Sequence, residues 1–149
     1  MFTTLVSCNL NNSKQESVEV STLTASDGVY NIENQTSYIT WTGREVSTSY
    51  HYGTINFASG QFELSGGLIS TGEFIVDMST IKNDDLPTDF AKNRLETHLK
   101  SEDFFSVESY PTAKISILDS EIISDGKWLV SGELTIKSYT HPIQFEIIN

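Results

Sequence analysis

Cysteine, basic residues and long apolar runs are scarce in this chain. Its 149 residues include one cysteine, Cys8, so neither an intrachain disulfide nor a cysteine-rich zinc site can form. Nine lysines and arginines against twenty aspartates and glutamates leave a net charge of −11. This charge repels phosphate backbones, so we expect no nucleic-acid partner. No apolar run reaches the ~18 residues of a membrane-spanning helix, so no transmembrane segment is predicted.

Familiar catalytic and metal-binding motifs are also missing. The three histidines, His51, His98 and His141, fit no HExxH or other common metal spacing, and no GxSxG, GxGxxG or P-loop sequence occurs. We therefore expect no enzyme activity, no metal and no cofactor. Carboxylates paired by the fold are the one route to acid-base catalysis that the sequence leaves open.

The first residues resemble an export signal. Leu5-Val6-Ser7-Cys8 has the pattern of a bacterial lipobox, in which the peptide is cut before the cysteine and the cysteine is acylated. A signal peptide needs a basic start and an apolar stretch of about 7–15 residues, whereas seven residues without a basic side chain precede Cys8. Either the start lies too far downstream or the match is chance. On the first alternative we expect a lipid anchor at Cys8, and a protein of the bacterial cell envelope, periplasmic or outer-membrane-tethered, or a secreted one.

A polar stretch separates this segment from the rest of the chain. Residues 9–27 are rich in Ser, Thr and Asn without a sustained period, and cannot bury enough apolar area to offset their ordering entropy. Val18, Val20 and Leu23 are compatible with a short edge strand. The sequence therefore predicts a signal-peptide remnant, lipobox and flexible linker over residues 1–27, and one folded domain over residues 28–149.

From Val29 onward, apolar and polar residues alternate with the period of half-buried strands. About eight strands are predicted, and the short turns between them favour antiparallel neighbours. Many such strands in one small domain indicate a sandwich or a closed barrel, which can enclose side chains or one small ligand. The predicted turns are Ser59-Gly60, Gly66-Gly67, Ser124-Asp125-Gly126 and Tyr139-Thr140-His141-Pro142.

The inward-facing strand positions are the candidate residues of an apolar binding pocket. The same side chains could instead fill the interior as an ordinary core, and alternation alone does not separate the two alternatives. The candidates are Ile39, Trp41, Ile55, Phe57, Phe62, Leu64, Phe74, Val76, Met78, Leu134, Ile136 and Phe145.

One segment has a helical period instead. It predicts a helix over about residues 86–100, lying outside or across the end of the strands. Asp84 or Thr88 is expected to cap its start, and Asp84-Asp85 to lie near its positive end. The apolar stripe of this helix consists of Ala91, Leu95, His98 and Leu99.

Seven stretches of the chain form a recognisable series through their order and spacing. They are Tyr30-x-Ile32 with Ser37, His51-x-Gly53-x-x-x-Phe57-x-x-Gly60, Ile75-Val76-Asp77-Met78-Ser79-Thr80-Ile81, His98-Leu99-Lys100-Ser101-Glu102-Asp103-Phe104-Phe105, Tyr110-Pro111-Thr112-Ala113, Gly132-Glu133-Leu134-Thr135-Ile136-Lys137 and His141-Pro142-Ile143. Together, from about Val29 to Ile148, they resemble the YceI-like family. The chain departs from the family pattern at Glu96-Thr97, where Arg-Asp is common, and at Lys137-Ser138, where Gly is common.

The resemblance implies an all-β fold with one helix, an antiparallel, about eight-stranded lipocalin-like β-barrel with an apolar interior. It implies binding of an isoprenoid lipid or quinone-type chain, for transport, storage or sensing. At about 25 cal/mol per Å², burial of a few hundred Å² of tail would contribute several kcal/mol. Two other functions stay open: a structural or interaction module without a ligand, and a hydrolase or isomerase on the same scaffold. The sequence does not fix the oligomeric state, and a homodimer is compatible with it.

Basic residues gather in or beside the predicted helix. If the ligand carries a phosphate or quinone head, they are the candidate head-group contacts. The alternative is that they pair with acidic neighbours on a solvated helix face. The candidates are Lys82, Lys92, Arg94, His98 and Lys100.

Overall fold

The computed structural model describes residues 26–44 and 50–148. A 3₁₀ turn, Met78–Thr80, follows the fourth strand, and helix α1, Asp89–Lys100, lies between the fifth and sixth. The predicted lipobox at Cys8, the linker up to residue 25 and its predicted edge strand lie outside the described residues. The strands are β1 (Gly28–Asn31), β2 (Tyr38–Arg44), β3 (Tyr50–Ser65), β4 (Leu68–Asp77), β5 (Lys82–Asn83), β6 (Thr112–Ser124), β7 (Lys127–Ile136) and β8 (Tyr139–Ile148).

All eight strands belong to one antiparallel sheet in the order β1-β3-β4-β6-β7-β8, with β2 and β5 also paired to β3. The 16 residues of β3 pair with β2 and β5 through their first half and with β1 and β4 through their second half. The predicted antiparallel fold of about eight strands with one helix is confirmed. Within residues 26–44 and 50–148, β1 and β8 stand at the two ends of this strand order.

The predicted alternation holds along the strands. In β2, Ile39 and Trp41 are half-buried while Tyr38 and Thr40 are exposed. Ile55, which pairs with Ile39, is buried on the same inner face. Successive side chains of a strand point to opposite faces, so one face of the sheet is apolar and the other is solvated.

Two of the predicted turns are confirmed, and both use glycine at positive φ. Gly66 and Gly67, with φ of 59° and 80°, join β3 to β4. Gly126, with φ of 65°, lies in the turn between β6 and β7. Such φ values favour glycine because it has no Cβ to clash with the backbone.

The predicted turn at Ser59-Gly60 is wrong, because β3 runs through it without a break. The pairing register shifts between Phe57 and Ser59, which marks a bulge, and Gly60 lies opposite Phe74 of β4. A Cβ at Gly60 would come 2.5 Å from Cδ1 of Phe74. Glycine is needed here to make room for an aromatic ring across the strand.

The predicted turn over Tyr139–Pro142 is also wrong, because these residues begin β8. The chain reverses two residues earlier, at Lys137-Ser138, where Lys137 has a φ of 54°. Pro142 pairs with Glu133 inside the strand. A proline has no N–H to donate and is tolerated where a strand edge has no second partner.

Helix α1 begins three residues later than predicted, because Thr88 is its N-cap and residues 86–88 lie before it. The Thr88 hydroxyl accepts a hydrogen bond from the Ala91 amide at 3.2 Å. Leu99 is buried and Leu95 packs beside it on the core. Of the predicted stripe, His98 is exposed.

Buried side chains form two separate clusters inside the sheet. The first lies near α1 and the second at the far end. The first cluster is Ile55, Val76, Met78, Ile81, Leu99, Val107 and Ala113. The second cluster is Leu64, Ile69, Ile117 and Val130, with Tyr30, Phe62, Phe74, Trp128, Phe145 and Ile147 packed against it.

Candidate functional site

A cavity of about 450 Å³ lies in the half of the interior that the first cluster surrounds. Its volume is within the range of sites that hold a small ligand. Trp41 and Thr42 carry the polar side-chain atoms of its lining. The lining residues are Ile39, Trp41, Thr42, Gly43, Ile55, Val76, Met78, Ile81, Leu99, Phe104, Phe105, Ala113, Ile115, Leu134 and Ile136.

The structure divides the twelve predicted pocket residues between this cavity and the packed interior. Phe57 packs against the first cluster without lining the cavity, and Phe62, Leu64, Phe74 and Phe145 belong to or pack on the second cluster. Whether any of the twelve binds a ligand stays a prediction. The seven that line the cavity are Ile39, Trp41, Ile55, Val76, Met78, Leu134 and Ile136.

Sequence reasoning missed several lining residues that do not lie on the strands it used. Leu99 comes from α1, and Phe104 and Phe105 from the loop that follows it. Leu99 had a signal, since it belongs to the apolar stripe of the helix. Ala113 and Ile115 alternate along β6 and could have been found by the same pattern as the others.

Trp41 forms a wall of the cavity because Gly53 lets its ring cross β3. The indole N–H donates to the Lys82 carbonyl oxygen at 3.1 Å and is 3.3 Å from that of Thr54. A Cβ on Gly53 would lie 2.9 Å from the ring and 1.9 Å from the Lys82 oxygen. The polar atom of Trp41 is thus satisfied by backbone, and its apolar ring surface is left to face the cavity.

The exposed lining residues mark the mouth of the cavity. Thr42 and Gly43 of β2 are exposed, and Phe104 is 46% exposed. The Phe104 ring lies edge-on to Phe105, at 4.6 Å between centroids, and to His98, at 6.1 Å. The mouth (Thr42, Gly43 and Phe104) is therefore close to the C-terminal end of α1.

A second, more open depression of about 530 Å³ lies along α1. Two of the predicted head-group contacts, Arg94 and His98, line this α1 groove, whereas Lys82, Lys92 and Lys100 line neither cavity. Arg94 and His98 are both exposed, so an anion bound between them would remain partly hydrated. The lining of the α1 groove is His51, Leu86, Phe90, Ala91, Arg94, Leu95 and His98.

A polar network fixes the groove to β3. Asp85 accepts hydrogen bonds from Asn83 Nδ2 at 2.6 Å and the Tyr52 amide at 2.9 Å, and its other oxygen lies 2.9 Å from His51 Nδ1. Partial burial raises the pKa of Asp85, but the hydrogen bonds from His51, Tyr52 and Asn83 and the charge of His51 outweigh it, and the pKa falls to about 2. Asp85 is thus ionised at neutral pH. The sequence reasoning assigned it to the helix start instead.

The α1 groove combines basic and apolar side chains. Its lining offers two imidazoles and a guanidinium but no hydroxyl or thiol nucleophile. Within residues 26–44 and 50–148, no cluster of three or more His, Cys, Asp and Glu side chains could hold a metal ion. In the same part of the chain, no helix is both long and apolar enough to cross a membrane.

An antiparallel eight-stranded sheet around an apolar cavity, with one helix at its end, is the architecture of a lipocalin-like binding protein. The model of the YceI-like domain matches residues 30–148, so the chain belongs to the YceI-like family.

The sequence is similar to bacterial proteins of the UPF0312 group. It is 31% identical over 113 residues to the UPF0312 protein plu2095 of Photorhabdus laumondii, covering 75% of this chain and 55% of that protein. It is 26% identical over 114 residues to a UPF0312 protein of Pseudomonas putida strain F1, covering 76% of this chain and 57% of that protein. The chain thus spans slightly more than half the length of these relatives.

The fold is similar to those of solved structures at low sequence identity. The crystal structure of Burkholderia cenocepacia BcnA matches with a TM-score of 0.52 and 14% identity, over 72% of this chain and 63% of that one. A Campylobacter jejuni YCEI protein matches with a TM-score of 0.43 and 14% identity, over 95% of this chain and 67% of that one. The BcnA match supports the fold alone.

Proposed function

We propose that this protein binds an amphiphilic isoprenoid lipid or isoprenoid quinone, with the apolar tail in the cavity and the head group at the α1 groove. The observation that carries the proposal is the apolar lining of the cavity, whose one indole N–H is already bonded to backbone. Apart from the hydroxyl of exposed Thr42 at the mouth, the side chains of this lining offer a polar substrate no free hydrogen-bonding group, and they remove the surface of a hydrocarbon tail from water.

The position of the mouth supports the place of the head group. Phe104 lines the cavity and contacts His98, which lines the α1 groove together with Arg94. A chain leaving the cavity past Phe104 would bring a quinone or phosphate within reach of these two side chains. Imidazole and guanidinium groups donate hydrogen bonds to carbonyl and phosphate oxygens.

Binding without catalysis is the simplest reading of the site. The cavity holds no titratable side chain, and the α1 groove has no nucleophile in its lining. The YceI-like family is a family of binding proteins, which agrees with this reading. Transport, storage and sensing would all involve the same complex of the protein with its ligand, so the site does not distinguish among them.

We further propose, from the lipobox pattern at Leu5–Cys8 alone, that the protein is acylated at Cys8 and held in the bacterial envelope. Because the anchor is expected only if translation starts upstream of Met1, the test is expression of the gene together with its upstream region in a bacterium fed with an alkyne-tagged fatty acid. Label on the wild-type chain that disappears in Cys8→Ser supports the anchor, and an unlabelled wild-type chain overturns it.

The two tryptophans of the chain provide a test of tail binding. Trp41 lines the cavity, whereas Trp128 packs on the second cluster and donates to the Gly67 carbonyl oxygen at 2.8 Å. We expect a short-chain ubiquinone to quench the fluorescence of Trp128→Phe, whose remaining indole is Trp41. Trp41→Phe is the matched control, and its emission from Trp128 should change much less.

Equal quenching of both variants would mean contact outside the cavity, and no saturable quenching of either would overturn the proposed function. Native mass spectrometry of the purified protein, with solvent extraction of any bound lipid, then identifies the natural ligand.

A second pair of variants tests the head group. Arg94→Gln should weaken binding of the quinone, whereas Lys92→Gln, on the same helix but outside both cavities, should not.

A further inference from the structure

Three exposed tyrosines lie on the outer side of the strands whose inner side lines the cavity. Tyr38 of β2 and Tyr50 and Tyr52 of β3 are 59%, 56% and 53% exposed. Successive residues of a strand point to opposite faces, so the three tyrosines lie on one side of the β2–β3 pair, and Ile39 and Ile55 lie on the other. The proposed function uses none of these rings.

The tyrosines share this side with short polar side chains. From Tyr50 to Asn56, at about 3.4 Å per residue, the outer side of β3 extends for about 20 Å. It meets the mouth of the cavity at Thr42, which pairs with Tyr52. We call this side the tyrosine face, and its exposed residues are Tyr38, Thr40, Tyr50, Tyr52 and Asn56.

The tyrosine face is nearly uncharged, although the chain has a net charge of −11. Arg44 pairs with Tyr50, and its guanidinium carbon lies 5.5 Å from the centroid of that ring. Lys82 of β5 lies on the other side of β3, and the amide of Asp84 donates to the Tyr52 carbonyl oxygen at 3.0 Å. Two cations and one carboxylate nearly cancel, so neither a strongly basic nor a strongly acidic partner finds a matching charge here.

The tyrosine face also lacks aliphatic side chains. In the part of the chain that the structure describes, the outward positions of β2 and of the first half of β3 hold no Leu, Ile, Val, Met or Phe. A lipid, or the apolar core of a protein interface, would gain most from such side chains. Aromatic rings among hydroxyl and amide groups suit a ligand with C–H groups on its flat sides and hydroxyl groups around its edge.

We propose that the tyrosine face binds an extended glycan of β-1,4-linked sugars, stacked on the tyrosines. The negatively polarised face of a tyrosine ring attracts the C–H groups on the flat side of a pyranose. Sugar hydroxyls exchange hydrogen bonds with Thr40 and Asn56. In β-1,4-linked glucose or N-acetylglucosamine the ring substituents are equatorial, so the chain is a flat ribbon that fits a long, open strand pair. The glycan and the ligand of the cavity are bound on opposite sides of the same strands.

The test is isothermal titration calorimetry of the full chain with cellohexaose and with N-acetylchitohexaose. At least one of them should bind saturably. Maltohexaose is the matched control, because it contains the same six glucose units as cellohexaose but curves through its α-linkages. Its affinity should be lower by about tenfold or more, since it cannot stack on several tyrosines at once.

Variants assign the binding to the tyrosine face. Tyr38→Thr and Tyr52→Thr should each lower the affinity about fivefold or more, because they remove the ring and keep a hydroxyl and a β-branched side chain. Tyr52→Phe keeps the ring and should lose less than Tyr52→Thr. Tyr139→Thr makes the same change at a tyrosine of β8 that is 67% exposed and lies outside the face, and should bind as wild type does.

The outcomes that overturn this proposal leave the proposed function intact. Absence of saturable binding of both β-linked hexamers overturns it, and so does an affinity that falls as far in Tyr139→Thr as in Tyr52→Thr. A wild-type dimer in sedimentation velocity that becomes a monomer in Tyr52→Thr also overturns it, because a second copy then covers the face. Quinone binding should be unchanged in Tyr38→Thr, which lies away from the mouth.

Discussion

At the scale of single residues, Gly53 of β3 lies between β2 and β5, and its lack of a side chain lets the backbones of these three strands come close together. It pairs with Trp41 of β2 on one side and with Asn83 of β5 on the other. Its missing side chain leaves room for the Trp41 ring and for the Lys82 carbonyl oxygen that accepts the indole N–H. A cavity wall thus depends on the absence of one methyl group.

Gly53→Ala should be strongly destabilising. The new Cβ would lie 1.9 Å from the Lys82 oxygen, a backbone atom that cannot turn aside. Overpacking of this kind costs about 3 kcal/mol, measured as a lower free energy of unfolding in urea. Gly43→Ala, whose Cβ would meet Trp41 at 3.8 Å, is the control. A loss as large in the control would contradict this explanation.

Asp85 should make the stability of the protein depend on pH at the acid end. Its pKa of about 2 lies below the ordinary 3.8, so its stabilisation is present above pH 3.8 and is lost as pH falls through about 2. Asp85→Asn should therefore be less stable than wild type at pH 7, and the difference should shrink between pH 4 and 2. Thermal unfolding across this range measures it.

The control for this effect is an exposed carboxylate. Asp103→Asn, in the loop after α1, should differ little from wild type at any of these pH values. A gap between wild type and Asp85→Asn that does not change with pH would show that the network stabilises through packing and not through charge.

At the scale of elements, α1 is capped at its start and fastened to the sheet through its C-terminal half. Thr88 caps its start, Glu96 accepts a hydrogen bond from the Asn83 amide at 2.8 Å, and Leu99 reaches the cavity. Because the helix supplies both the α1 groove and part of the cavity lining, its position sets the distance between tail and head group.

Thr88→Ala should loosen this helix. Loss of the cap leaves the Ala91 amide without its partner and costs about 1 kcal/mol, seen as a fall in Tm of about 3 °C for a chain of this length. Thr88→Ser keeps the accepting oxygen and should remain close to wild type. If serine is as damaging as alanine, the methyl group of Thr88 matters and the cap does not.

Sequence patterns predicted the elements well and some of their ends poorly. Period-2 alternation found the strands because each has one buried face. The pattern predicted a turn at Ser59-Gly60 because glycine is typical of turns. The sequence does not distinguish a glycine that makes room for the Phe74 ring from a glycine at which the chain reverses. It placed the last turn at His141-Pro142, because a proline inside an edge strand looks like a breaker.

At the scale of the whole molecule, the interior has one half that is packed and one that is hollow. Leu64 and Val130 of the packed half and Leu134 of the hollow half obey the same alternation. The sequence could therefore predict an apolar interior but not which residues face empty space, since that depends on the distances between strands. Phe104 and Phe105 escaped prediction because a loop has no period.

The same Leu→Ala substitution should have different effects on stability and on quinone binding in the two halves of the interior. Leu64→Ala should cost about 4 kcal/mol, because its surroundings are closely packed, and Leu134→Ala about 2 kcal/mol, because it already borders a cavity. Only Leu134→Ala should weaken quinone binding. Urea unfolding and Trp41 quenching measure the two effects, and weaker quinone binding in Leu64→Ala would contradict this division.

The long connection between β4 and β6 has a consequence for how the protein folds. The β3–β4, β6–β7 and β7–β8 pairs each join strands across a short turn, whereas β4 pairs with β6 across α1, matching Gly72 with Ile117. Closing this loop has an entropic cost, so we expect the union of β1–β5 with β6–β8 to be a late step of folding. Each of these parts contributes lining residues to the cavity. The binding site is therefore created only in that step, and a growing chain on the ribosome has no complete cavity until β6 and β7 have emerged.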